Sequence, residues 1–133
     1  MKTLLGRGAI GSLALSLVAA GMLSFPAMAA AKDGDVIRTG NCSGATDWKL
    51  KLSPENGRIE VEFEVDQNVN GKTWNVKLKR NGNVFWRGQR TTRAPSGSFE
   101  VRRLTNNGPG TDSFIARAVN PQTGEVCRGT ASF

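Results

Sequence analysis

Ile59-Glu60-Val61-Glu62-Phe63-Glu64-Val65 alternates apolar and acidic residues without a break. Successive side chains of a strand point to opposite faces, so this segment puts Ile59, Val61, Phe63 and Val65 on a core and the glutamates on the other side. Trp48-Lys49-Leu50-Lys51-Leu52 and Trp74-Asn75-Val76-Lys77-Leu78-Lys79 repeat the pattern with lysines in the polar places. No segment after residue 30 sustains a helical period. Further strands are predicted around Val36–Gly40, Val84–Gly88, Ser98–Arg103, Ser113–Val119 and Val126–Ser132. The expectation is an all-β domain of about 7–8 strands. It would be a small antiparallel two-sheet sandwich or a small barrel.

Turn chemistry proposes a register. Ser53-Pro54-Glu55-Asn56-Gly57-Arg58 and Asn120-Pro121-Gln122-Thr123-Gly124-Glu125 share the form x-Pro-x-x-Gly-x. Read as four-residue hairpin loops, they set Ser53 opposite Arg58 and Asn120 opposite Glu125. Lys49 then faces Glu62, and Lys51 faces Glu60. The last hairpin sets Ala118 opposite Cys127 and Ala116 opposite Gly129, with Cys127 inward among small neighbours. If Val65 and Trp74 close a hairpin as well, Glu62 also faces Lys77 and Glu60 faces Lys79. Two acids would each lie between lysines while the apolar set shares the other face. Asn81-Gly82 is a tight two-residue turn signal.

The amino terminus reads as an export signal. Lys2 and Arg7 precede an apolar run from Ala9 to Phe25, and Ala27-Met28-Ala29 supplies a small-x-small cleavage site. Cleavage after Ala29 leaves 104 of the 133 residues, and cleavage after Ala31 also fits. The expected organisation is a signal peptide over 1–29, a flexible start over 30–35 and one domain over 36–133, secreted, monomeric and without a membrane anchor. Cys42 and Cys127, the two cysteines, then meet an oxidising compartment and have one intramolecular pairing open to them. Asn41-Cys42-Ser43 matches a glycosylation sequon only by coincidence with that cysteine.

Removing Lys2 and Arg7 leaves 16 basic and 11 acidic side chains. Eight of the basic ones fall between Lys77 and Arg103, where Glu100 is the single acid. Such a bias attracts anionic polymers, although a solvated basic face without a partner has the same composition. Histidine is absent, which removes the usual general base and the commonest transition-metal ligand. No nucleophile elbow, phosphate-binding loop, dinucleotide fingerprint or dedicated nucleic-acid motif occurs. Glu60, Glu62, Glu64 and Asp66 form a carboxylate row at a spacing some glycosidases use, but facing lysines in water they read as a structural ladder. No enzyme, cofactor or metal is expected.

The candidate surface starts at Val84-Phe85-Trp86-Arg87. A regular hairpin at Asn81-Gly82 sets Phe85 beside Leu78 in the core and leaves Trp86 outside among cations. A one-residue bulge reverses that parity, burying Trp86 and exposing Phe85. If a hairpin through Arg90-Thr91-Thr92-Arg93-Ala94-Pro95 lays the next strand alongside, Arg87, Arg90, Arg93, Arg102 and Arg103 converge on one edge. Trp86 and those five arginines are the candidate ligand-binding residues.

Gly40-Asn41-Cys42-Ser43, Asp47–Leu52, Ile59–Asp66, Gly71–Leu78 and the closing Gly124-Glu125-Val126-Cys127-Arg128-Gly129 resemble small secreted actinobacterial proteins of unknown function. The resemblance covers most of the exported chain and implies a short β-domain with one cysteine near each end. It implies no catalytic residues. The chain also has an immunoglobulin-like appearance, although its cysteines would staple terminal strands rather than the central pair of an antibody domain. The sequence supports a secreted, non-enzymatic binding module for an anionic wall polymer, glycan or extracellular protein. The alternative is a secreted inhibitor or cationic effector.

Overall fold

The computed structural model describes residues 31–133. The export-signal reading of 1–29 lies outside the described residues. Eight strands follow one another without an intervening helix: β1 Val36–Asn41, β2 Asp47–Glu55, β3 Arg58–Asp66, β4 Thr73–Arg80, β5 Asn83–Thr91, β6 Ser98–Asn106, β7 Ser113–Val119 and β8 Val126–Ser132. They build two antiparallel sheets, ordered β1-β2-β3-β6 and β5-β4-β7-β8. The domain is the expected small two-sheet sandwich with one Cys42–Cys127 disulfide. The order β2-β3-β6 against β5-β4-β7-β8 matches the immunoglobulin-like connectivity A-B-E against C′-C-F-G, with β1 added beside β2.

The alternating segments place their apolar sets as anticipated. Leu50, Leu52, Ile59, Val61, Phe63 and Val65 of the first sheet meet Trp74, Val76, Leu78, Phe114, Ala116 and Ala118 of the second, all buried. The last hairpin also keeps its register, with Ala118 opposite Cys127 and Ala116 opposite Gly129. The Asn120 N–H donates to the Glu125 carbonyl at 2.9 Å across its loop.

Two registers differ. The β2–β3 turn is the two-residue Asn56-Gly57, with φ of 49° and 76°, so Lys49 faces Glu64 and Lys51 faces Glu62. Asparagine and glycine accept the positive φ that a tight hairpin turn needs at both positions. Pro54 lies inside β2, beyond the last β1 pairing at Val36–Leu52, where its missing N–H costs no ladder bond to β1. The slip is of two residues, so every side chain keeps its face. The second difference is larger: β3 and β4 are not a hairpin. β3 pairs with β6, which puts Arg102 opposite Glu62 and Leu104 opposite Glu60, and β4 lies in the other sheet. The residues after Asp66 cross between the sheets, and the segment after β5 crosses back beside them. Buried Thr92 ties the two crossings together: its hydroxyl donates to the Val69 carbonyl at 2.6 Å and accepts from the Lys72 N–H at 2.9 Å.

The two open sides of the sandwich are closed by different means. On the β1/β8 side the disulfide joins the sheets, and the Trp48 ring lies on Gly40 and Gly129. A Cβ at those glycines would meet the indole at 2.6 and 2.7 Å. On the β5/β6 side no disulfide helps, and Trp86 takes that place. Residues 30–35, expected as a flexible start, are held in their described part. The Lys32 ammonium reaches Glu55 at 2.9 Å, and the Asp35 carboxylate accepts from the Ser53 hydroxyl and from the Lys32 N–H.

Candidate functional site

The hairpin expected through residues 90–95 does not form. β5 and β6 are edge strands of different sheets, so the five arginines separate onto four parts of the surface.

Arg102 points to the outer face of the first sheet, where it meets the Glu62 carboxylate and lies 3.9 and 3.3 Å from Glu60 and Glu100. The charge of Glu62, followed by those of Glu60 and Glu100, raises its pKa further. Behind it Lys51 lies 3.4 Å from Glu62 and 3.6 Å from Asp35. Lys51 and Glu62 are both buried, which differs from the water-exposed ladder anticipated for this face. The overlying Asp35 segment and the Arg102 side chain provide the cover. Burial works to raise the Asp35 carboxyl, but the Ser53 hydroxyl, the Lys32 N–H and Lys51 outweigh it and hold the group below its ordinary value. Glu64 is raised, chiefly by burial, with Lys49 opposing and Glu100 adding to the shift. Glu60 and Glu62 are thus committed to cations of their own sheet, whereas Glu64 lies opposite Glu100.

Trp86 resolves through a bulge. The β4–β5 register slips between Leu78 and Lys79, so Lys79 faces Val84 and Leu78 faces Trp86. Trp86 turns inward as the bulged alternative requires, yet Phe85 is not left outside. Its ring packs edge-on against Phe114 at 6.2 Å between centroids. The extra residue twists the strand enough for both aromatics to reach the core margin, each half-buried. The Arg90 and Arg103 guanidiniums lie 4.9 and 4.7 Å from the centre of the Trp86 indole. These three are the predicted site residues that the fold does bring together. Arg93 is exposed, on the crossing segment, bridged to Ser98.

Arg87 belongs to a group that only the strand order assembles. Val76, Ala118 and Cys127 face the core, so their neighbours Lys77, Arg117 and Arg128 face out. Arg87 pairs with Lys77, Lys77 with Arg117, and Arg117 with Arg128. Four exposed cations therefore run straight across the four strands of the second sheet. Neighbouring strands are about 4.8 Å apart, so the row is about 14 Å long at the backbone. Lys79 and Ile115 extend it by one position along β4 and β7, and a depression of about 280 Å³ lies among Lys77, Lys79, Ile115, Arg117 and Arg128. No carboxylate lies within ion-pairing distance of any of the five cations among the described residues. Arg80, at the end of β4, is by contrast neutralised by Asp112 at 2.7 Å. The Asn81 amide, the Gly108 N–H and Arg80 hold Asp112 below its ordinary pKa against the opposing effect of burial.

Like charges directly opposite one another across a sheet are destabilising, and here three such pairs stand in succession with nothing to offset them. The charge run between residues 77 and 103 hinted at this face through Lys77, Lys79 and Arg87. Arg117 and Arg128 carried no signal, because each stands alone in its own strand. No protein-family model matches the chain, and comparison with curated proteins and with solved structures finds no match.

Proposed function

We propose that this is an exported, non-enzymatic binding module that holds an anionic polymer against the outer face of its second sheet. The observation that carries the reading is the unbroken row Arg87–Lys77–Arg117–Arg128 with no carboxylate beside it. A face maintained at the expense of cross-strand repulsion gains most when an anion supplies the missing charge. Guanidinium forks suit phosphate, sulfate and carboxylate groups, which accept two parallel N–H donors. The Cys42–Cys127 disulfide supports an oxidising compartment, in keeping with the export signal read from the sequence. No helix of the described residues is long and apolar enough to cross a membrane.

The test is retention on immobilised heparin, with K77Q, R87Q, R117Q and R128Q combined in one chain. The unaltered protein should be retained at low salt and released as salt rises, since exposed charges are screened within about 8 Å at physiological ionic strength. The fourfold variant should flow through with its fold intact. Equal retention of the two proteins would refute the reading.

A further inference from the structure

Arg90 and Arg103 are held in place without being neutralised. Trp86, Gly88 and Arg90 lie on the inward side of β5, and Arg103 on the inward side of β6, at the flank where the two sheets meet without hydrogen bonds. The indole lies flat enough on β5 that a Cβ at Gly88 would sit 2.7 Å from it. Both guanidiniums rest over that one ring, and so are less than about 10 Å apart. Each uses one nitrogen on a local carbonyl: Arg90 donates to Gln89 and Arg103 to Arg102, both at 2.8 Å. Neither forms an ion pair among the described residues, and the remaining donors of each fork have no acceptor there. The ring attracts both cations and limits their rotamers, which leaves two oriented forks at an open flank.

We infer that Arg90 and Arg103, pinned by Trp86, form a second oxyanion subsite, and that the partner is a flexible linear polyanion reaching it from the cationic row. The inference rests on the function proposed above and adds the shape of the ligand to it. The row ends at Arg87 on the β5 edge. Arg90 follows three positions later, about 10 Å along the strand and on its other face. A flat anionic surface such as a bilayer lying on the second sheet touches the row alone. A chain that bends round the β5 edge touches both. Phosphate, sulfate and carboxylate groups share the chemistry that two forks recognise.

The experiment compares long-chain polyphosphate, tripolyphosphate, heparin and phosphatidylglycerol vesicles as probes of the unaltered protein, R90Q/R103Q and R117Q/R128Q. Whichever of long polyphosphate and heparin binds more tightly identifies phosphate or sulfate and carries the comparison. R90Q/R103Q should weaken that polymer about tenfold, which is about 1.4 kcal/mol. It should also reduce the slope of log affinity against log salt by about 1.4, for two cations at about 0.7 each. Tripolyphosphate and vesicles should bind R90Q/R103Q as they bind the unaltered protein. If R90Q/R103Q folds poorly, R90K/R103K keeps the charge without the fork and should lie between the two in affinity. Unchanged long-polymer affinity in these variants, or an equal loss on vesicles, overturns the subsite. A loss confined to R90Q/R103Q, with R117Q/R128Q binding every probe normally, would instead refute the row and leave the flank as the site.

Discussion

Arg117→Glu should make the protein more stable and poorer at binding. Arg117 is the third cation of the row, with Lys77 opposite on one side and Arg128 on the other. Each like-charge pair costs a few tenths of a kcal/mol at an exposed site, and each opposite-charge pair gains a similar amount. Reversal at this one position converts two repulsive pairs into two attractive ones, for a gain of about 1–2 kcal/mol at low salt. For a domain of this size that raises Tm by roughly 5–10 °C. Arg117 is exposed on its strand and contributes nothing to the packed core, so no burial is lost to offset the gain. Thermal unfolding followed by circular dichroism at low salt and again near 1 M salt is the assay. The gain should shrink at high salt, where the screening length falls to about 3 Å. Heparin retention of the same variant should weaken. A variant that is less stable at low salt, or a gain that ignores salt, would show that the cross-strand repulsion is not what the geometry implies. Retention equal to that of the unaltered protein would remove the row from the binding surface.

The carboxylates of β3 should separate by burial: Glu62→Gln leaves Lys51 buried with only Asp35 beside it and should cost about 2–3 kcal/mol in chemical denaturation, whereas Glu60→Gln, losing one long contact to half-exposed Arg102, should cost under about 1. Equal losses would mean that the outer face of the first sheet is wetter than its packing indicates. Replacing Cys42 and Cys127 together by serine opens a loop whose ends are 85 residues apart, for which chain entropy gives about 4.5 kcal/mol, and Tm should fall by about 20 °C or more. A fall of only a few degrees would show that Trp48 on its two glycines closes that side of the sandwich without covalent help.

The alternation at Ile59–Val65, Trp48–Leu52 and Trp74–Lys79 was enough to assign each of those side chains to a face, because the pleat has a period of two whatever strand lies alongside. That is why a two-residue error in the β2–β3 register left the core intact. The Asn81-Gly82 turn and the Asn120–Glu125 loop fixed their hairpins locally, and two cysteines left one intramolecular pairing open. Which strands are neighbours was decided elsewhere. Glu62 is offset as well by Lys51 and Arg102 as it would have been by Lys49 and Lys77, so its charge is satisfied by either partner strand. Crossing between sheets depends on loops that meet each other around Thr92, a contact between segments distant in sequence. The bulge at Phe85 depends on the space beside Phe114, which exists only once β7 is in place. The row Arg87–Lys77–Arg117–Arg128 draws one residue from each of four strands. Periodicity reports a side chain's face, but only the strand order brings those four faces into one line.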